Sequence, residues 1–375
     1  MKKILFISNY YYPYISGVTE YERMLGEELV KQGYEVTVLT SNHHNLKAEE
    51  EINGVKVIRT PVWFKISKGT ISPKYIYMAK KLSKDADIIN MQLPMIESGI
   101  ISNLVDKKKL ISTYHCDINL PIGLLNNIII KVMDFSNELC FKNSRKIIVN
   151  TLEYMNASRI GQECKYKLVE ITPPVKSIDR VLKNKSADRK VIGFCGRIVE
   201  EKGIDVLIKA FKLLQDTNVK LIIGGDYLNV AGGSIYPKLK QYIEDNKIKN
   251  VEFIGKIPEE QMKNFYSQLD VLVLPSINSL ESFGMVQLEA MMCGVPVIAS
   301  NLYGVRTIVK NTGMGLICEV GDEKDLAKCI RIVLDNQADY IKDREYIENL
   351  YGTQLSVSKY IDCFKEVYKL NGKNN

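Results

Sequence analysis

The 375-residue sequence lacks any stretch near the roughly 20 consecutive apolar residues of a membrane-spanning helix, so no span is expected. Histidine is scarce, three in all, and the eight cysteines form no Cys-x-x-Cys pair. A structural zinc site is therefore not expected, and the cysteines read as reduced thiols of a cytosolic protein. No Gly-x-Gly-x-x-Gly occurs, so nicotinamide dinucleotide binding lacks its fingerprint. Low-complexity segments and exact repeats are also missing. The opening MKKILFISNYYYPY has too short an apolar run, and no small-residue cleavage site, for a secretion signal; a first buried strand is expected. Charge of one sign is not extreme. A formal +7 permits anionic partners such as nucleotides or acidic lipid surfaces and does not call for nucleic acid.

What is present is a long series of short apolar runs. The first half carries KILFIS (3–8), EVTVLT (35–40), VKVIR (55–59), DIINM (87–91), KLISTY (109–114) and KIIVN (146–150). The second carries KVIGFCG (190–196), VKLIIGG (219–225), VEFIG (251–255), VLVLP (271–275) and VPVIAS (295–300). They are continuous in Val and Ile rather than alternating, as in parallel strands buried on both faces. Helical spacing fits 20–31, 203–214, 258–269 and 283–292 between them. Residues 172–190, with two prolines and much charge, read as a linker. The expectation is α/β: two Rossmann-like, doubly wound domains over 1–175 and 188–352, facing across a cleft. An amphipathic helix over 353–370 (Leu355, Tyr360, Phe364, Val367, Tyr368) follows.

Ligands of open parallel sheets bind beyond the carboxyl ends of the strands, and unusual residues cluster there. Gly17 and Val18 open a helix after the first run and can offer N–H groups to a phosphate, although an ordinary strand-to-helix turn looks the same. His115 and Asp117 follow KLISTY, and Gly225 ends VKLIIGG. Arg197 and Lys202 can clamp a diphosphate, or stand as a solvated basic pair beside Glu200 and Glu201. In PSINSLESFGMVQLEAMMCGVP (275–296), residues Ser282, Phe283, Gly284 and Met285 are expected to open a helix whose positive end faces an anion or sugar. Glu281 precedes it. Glu289 lies among apolar neighbours, where a carboxylate needs hydrogen bonds. Asp85 and Asp87 match an Asp-x-Asp metal pattern, but sit at the amino end of DIINM, away from these ends. No metal ligand is expected.

Taken together these motifs resemble family 4 retaining glycosyltransferases, in the family's order over roughly the whole chain. Glu281 to Glu289 resembles its E-x7-E region, GRIVEEKGIDVLIKAF (196–211) its phosphate segment, SGVTEYERMLGEELVKQGYEVTVLT (16–40) its glycine loop and following helix with Ser16 where glycine is frequent, and STYHCDI (112–118) its histidine segment. The resemblance implies the GT-B fold and a last helix that returns to the first domain. It implies that Arg197 and Lys202 hold the donor diphosphate, approached by Gly17 and Val18, and that Glu289 binds the ribose. Lys256 and Ile257 would lie near the base, Gly225 at the donor, and Glu281 with Ser282, Phe283, Gly284, Met285 and Val286 at the donor sugar. Tyr14, His115 and Asp117 would face the acceptor. Glu281, His115, Arg197 and Lys202 would carry the chemistry without a cofactor or metal, the substrate being a nucleotide-sugar, UDP-linked ahead of GDP-linked.

The acceptor is less constrained. INLPIGLLNNIIIKVM (118–133) has one charge, Lys131, and basic clusters on either side. Read as a surface stripe it suits an anionic membrane and a lipid-linked saccharide acceptor, placing the protein at the inner face of the cell membrane. Read otherwise it is a core helix and the acceptor a soluble small molecule. A nucleotide-sugar epimerase is the nearest rival of the same architecture. A glycoside hydrolase shares the two carboxylates but has no use for a diphosphate clamp.

Overall fold

The computed structural model describes residues 1–66, 69–178, 189–228 and 233–372. The chain forms two compact units: Met1–Pro174 with Thr353–Asn375, and Val175–Gly352.

The first unit is built on β1 (Lys3–Ile7), β2 (Glu35–Asn42), β3 (Glu49–Ile52), β4 (Val55–Pro61), β7 (Ile88–Leu93), β8 (Leu110–Tyr114), β9 (Lys146–Val149) and β10 (Leu168–Glu170), with β5 (Phe64–Ile66) and β6 (Gly69–Ile71) forming a separate hairpin. The sheet order is β10-β9-β8-β7-β1-β2-β4-β3, and only β3 runs antiparallel to its neighbour. All six residues of β7 are buried, as a strand covered on both faces requires. The acidic β3, EEEI, carries no apolar signal. It is an edge strand whose Glu50 pairs with the buried Arg59 of β4. Arg59 Nη2 also donates to Tyr12 O at 2.8 Å and so anchors the loop after β1.

The helix Thr353–Gly372 belongs to this unit. Val357, Tyr360, Cys363, Phe364 and Val367 are buried, a stripe at helical spacing. Leu355 and Tyr368, expected on the stripe, flank it instead: Leu355 is half-buried and Tyr368 is exposed. Tyr360 hydroxyl meets Tyr21 hydroxyl, Ser356 Oγ donates to Thr172 O at 2.6 Å, and Lys146 pairs with Glu366 at 2.8 Å. Five buried side chains at about 2 kcal/mol each explain why the chain returns here.

The second unit contains β11 (Lys190–Cys195), β12 (Val219–Gly224), β13 (Val251–Gly255), β14 (Val271–Leu274), β15 (Val297–Ser300) and β16 (Gly315–Cys318). Their order is β13-β12-β11-β14-β15-β16, all parallel. One apolar layer packs Ile204, Leu207, Phe211 and Ile330 on one side of the sheet, and a second packs Phe265, Leu288, Met291 and Ile308. Val175 and Ile178 are buried in the second layer, so part of the segment expected as linker already belongs to this core. Residues 179–188 of that segment lie outside the described residues.

The parallel strands of each sheet reverse their order once, between β1 and β7 and between β11 and β14. Those are the points where an open parallel sheet leaves a crevice beyond its carboxyl ends.

Candidate functional site

The second unit gathers its charged residues at the β11/β14 reversal. Arg197 follows β11, and a short 3-10 turn, Glu200–Lys202, brings Lys202 back to the strand end. Arg197 Nη2 lies 3.1 Å from Glu201 Oε1, and Lys202 Nζ pairs with Glu281 in the loop after β14. The lysine and both carboxylates expose less than a fifth of their side chains, against 35% for Arg197. Two ion pairs, Arg197–Glu201 and Lys202–Glu281, thus stand at the ends of the neighbouring strands β11 and β14. The sequence reading sets Glu201 beside the basic pair, as found for Arg197, but gives no sign that Lys202 pairs with Glu281.

Two glycines let these loops close together. Gly225 has φ +150°, and a Cβ on it would stand 1.8 Å from Gly196 O. Gly203 has φ +64°, and its Cβ would lie 2.0 Å from Pro275 O. Gly225 is therefore a packing position beside the site.

The helix expected from Phe283 begins at Met285 and runs to Met292, with Gly284 in a left-handed conformation before it. Phe283 turns its ring into the core against Tyr351, 6.3 Å between centroids. Only its backbone can therefore face a ligand. Ser282 is buried, and Met285 and Val286 are half-buried in the first turn, where N–H groups lack intrahelical acceptors. Gln287, fully buried, holds this corner by donating to Phe283 O at 2.9 Å and Val305 O at 3.1 Å. Its apolar setting gave no sequence signal.

Glu289, one turn in, accepts a 2.7 Å hydrogen bond from Tyr266. Burial and then Glu289 itself push the Tyr266 hydroxyl well above its usual range, so it remains a donor. Desolvation followed by the Glu289 charge lifts the Cys195 thiol to about 12, with Lys202 pulling the other way. Cys195 is thereby a neutral thiol within the field of both charged groups. Lys256, exposed, and Ile257 follow β13, two strands from β11. The Ile257 side chain covers Gly224 at the end of β12, leaving its backbone for other contacts.

In the first unit, the helix Gly17–Lys31 is capped by a reciprocal Ser16–Thr19 pair. The N–H groups of Gly17 and Val18 have no acceptor within the helix. His115 is buried, and its Nε2 is 2.9 Å from Gln92 Oε1. Desolvation lowers its pKa to about 3, so it is neutral at ordinary pH. With Nε2 on Gln92 and the backbone N–H donated to Leu93 O at 2.9 Å, Nδ1 is the ring atom that remains for a substrate. Gln92 in turn reaches Asn90, which donates to Thr113 at 2.9 Å. Tyr21 meets the His115 ring edge-on at 5.0 Å. Tyr14 is half-buried and tilts against Tyr10 at 4.7 Å.

Asp117, expected at the acceptor, is engaged elsewhere. Its Oδ1 accepts from Tyr114 at 2.5 Å and Ser158 at 2.6 Å, and its N–H donates to Tyr154 at 2.7 Å. Arg159 flanks Oδ2 at 3.8 Å. A buried carboxylate needs such partners, and here they tie the loop after β8 to the segment after β9. Asp87 accepts from the N–H groups of Lys2 and Lys3 at 2.6 and 3.0 Å, at the amino end of the sheet.

Two buried acids at the β1/β7 reversal were not foreseen. Ser8 Oγ donates to Glu22 at 2.7 Å, and Asn9 Nδ2 reaches Glu97 at 3.4 Å. Glu22 falls on the buried stripe with Leu25 and Leu29, a spacing that could have exposed it. Burial lifts the Glu97 carboxyl from 4.5 to about 7, against hydrogen bonds from its own backbone and Asn9. A group raised in this way contributes stability below its unfolded pKa that is lost as pH rises through the folded one. Glu97→Gln is therefore expected to flatten the fall in Tm between about pH 4.5 and 7, removing at most about 3 kcal/mol of pH dependence. An unchanged Tm profile would assign that slope to other groups, Glu22 first.

Two family profiles match the chain: Glycosyltransferase Family 4 over residues 15–155 and Glycosyl transferases group 1 over 175–352. The chain is a glycosyltransferase of the family 4 type. N-acetyl-alpha-D-glucosaminyl L-malate synthase of Bacillus anthracis is 23% identical over 96% of this chain and 97% of its own. Sucrose-phosphate synthase from Thermosynechococcus elongatus superposes with a TM-score of 0.78 at 20% identity, covering 99% of this chain and 100% of that one. Anabaena HepE, solved in complex with UDP-glucose, superposes with a TM-score of 0.73 at 16% identity over 98% and 100%. The fold of this glycosyltransferase is GT-B, with a parallel sheet in each domain.

Proposed function

We propose that this glycosyltransferase moves a hexose-type sugar from a nucleotide diphosphate sugar to a hydroxyl of a lipid-linked saccharide, with retention at the anomeric carbon. Assembly of a cell-surface polysaccharide or glycan is the corresponding role, and the inner face of the cell membrane the corresponding place. The observation that carries this reading is the two ion pairs, Arg197–Glu201 and Lys202–Glu281, at the ends of the neighbouring strands β11 and β14. An arriving diphosphate can replace the carboxylates as partner of both cations, which releases Glu281 towards the sugar. Glu289, oriented by Tyr266, is assigned to the ribose hydroxyls. UDP is favoured because HepE was solved with UDP-glucose.

In this reading the bond from the anomeric carbon to the phosphate oxygen breaks as an oxocarbenium-like sugar forms. The acceptor oxygen then bonds to that carbon on the same face, and its proton passes to the departing phosphate. Arg197, Lys202 and the first-turn N–H groups of Met285 and Val286 offset the charge growing on the leaving group, without a metal ion. Tyr14 and neutral His115 are assigned to the acceptor; Asp117 is a structural tie.

A soluble acceptor is the second reading, favoured by the malate-utilising name of the Bacillus relative. Thermal shift across UDP, GDP, ADP and their sugars tests the donor. UDP species should stabilise most, and no shift with any of them would remove the donor assignment. Glu289→Ala should raise donor KM about tenfold or more with a smaller change in kcat, the cost of a charge-assisted hydrogen bond. NMR of the product decides retention, and partition of product between lipid and water decides the acceptor.

A further inference from the structure

The helix Leu124–Asn143 buries residues only from Met133 onward: Met133, Ser136, Asn137, Cys140 and Phe141. Its first half has no buried residue, which excludes the core-helix reading for that half. Leu124 is 82% exposed, Leu125 71% and Phe135 70%, with Ile128 and Val132 about half exposed. Positions 125, 128, 132 and 135 repeat at helical spacing, so they form one ridge. Ile122, fully exposed, extends it at the amino end. The helix Ser98–Leu104 packs alongside and adds exposed Ile100 and Leu104. Scattered apolar residues are ordinary on a surface, but a contiguous ridge of this size is not.

Charge identifies the occupant. The first unit holds 27 Lys and Arg against 20 Asp and Glu, and the second holds 24 of each, so the whole +7 lies with the ridge-bearing unit. Around the ridge stand exposed Lys131 and Lys142, with Lys107 and Lys108 after the neighbouring helix, and Lys74, Lys80, Lys81 and Lys84 on or just after the next one, Pro73–Ser83. The acids around it are Asp85, Asp106, Asp134, Glu138 and Glu163; Asp134 is held by Arg159 at 2.6 Å and Glu163 pairs with Lys142 at 3.0 Å, which leaves Lys131 and the lysines of the two neighbouring helices in excess. A second copy of this chain would set like charge against like charge across the ridge, which is unfavourable. An anionic lipid surface accepts both the apolar side chains and the lysines.

We infer that this face docks on an anionic bilayer, seating Ile122, Leu124, Leu125, Ile128, Val132 and Phe135 at the boundary between headgroups and acyl chains. The inference deepens the lipid-linked-acceptor reading and rests on it for its purpose. Its test is independent of turnover. The full chain is sedimented with phosphatidylglycerol-containing vesicles and with pure phosphatidylcholine vesicles, at low and high salt. Binding is expected to the anionic vesicles and to weaken with salt. The exposed-site variant L125D/I128D should lose about tenfold or more of that binding, while its Tm and its UDP thermal shift stay as in the wild type. Wild-type failure to pellet with anionic vesicles at low salt, or undiminished binding by L125D/I128D, overturns the inference. So does a wild-type dimer in sedimentation velocity that this variant converts to monomer. Docking without any UDP response would instead keep the inference and remove the donor assignment.

Discussion

Arg197→Ala and Lys202→Ala are each expected to lower kcat on the nucleotide-sugar donor by about 10²–10³-fold, the usual loss when one charge-stabilising group leaves a transition state. The two should differ. Lys202 is the more enclosed of the pair, 18% exposed against 35%, so its field is less screened by water. Its removal also leaves Glu281 unpaired, facing an anionic substrate. Lys202→Ala should therefore raise donor KM as well as lower kcat. Adding Glu281→Gln to that variant removes the repulsion and should recover part of donor binding without recovering kcat. Steady-state kinetics with the donor identified by thermal shift gives both numbers. Near-wild-type turnover in either single variant would sink the diphosphate assignment.

Gly225→Ala is expected to cost about 3 kcal/mol or more, one of the largest single-residue losses in the second unit. The cause is steric and conformational together. The φ of +150° is strained for alanine, and the new Cβ would stand 1.8 Å from Gly196 O, a backbone atom that cannot swing aside. Relief requires the loop after β11 to move, and that loop carries Arg197. At about 2–4 °C per kcal/mol for a unit of this size, Tm should fall by about 6–12 °C. Activity measured well below that Tm should fall too, because the clamp is displaced. A Gly225→Ala variant with wild-type Tm would show that the loop has slack the present geometry does not reveal. Full stability with lost activity would mean that Gly225 serves the ligand directly.

The elements that were legible and those that were not differ for a physical reason. Strands such as β7 and β14 are buried on both faces, so their sequences are unbroken apolar runs. β3 is an edge strand held by Glu50 and Arg59, and its EEEI has nothing for a hydrophobic criterion to find. β10 and β16 are only half-buried over most of their length, and they too were missed. On the returning helix, stripe membership shifted to Val357 and Cys363 because the docking angle, not the periodicity, decides which flank is covered.

The site shows the same division. Motif spacing put Arg197 and Lys202 after one strand and Glu281 and Glu289 around the helix that follows another, and the structure places them on those elements. Which carboxylate faces which cation depends on loops separated by 79 positions for Lys202 and Glu281, and no local pattern encodes that pairing. Nor does spacing reveal that Asp117 is satisfied by Tyr114, Tyr154 and Ser158, or that His115 is desolvated into neutrality.

By itself, then, the sequence determined the two parallel sheets and the family, since strands buried on both faces leave unbroken apolar runs and the motifs keep their order along the chain. Only the tertiary structure decided the partners of each charged group, the buried acids Glu22 and Glu97, and the outward turn of Leu125 and Phe135. Those follow from which surfaces remain uncovered once distant segments have packed, and that is a property of the folded whole.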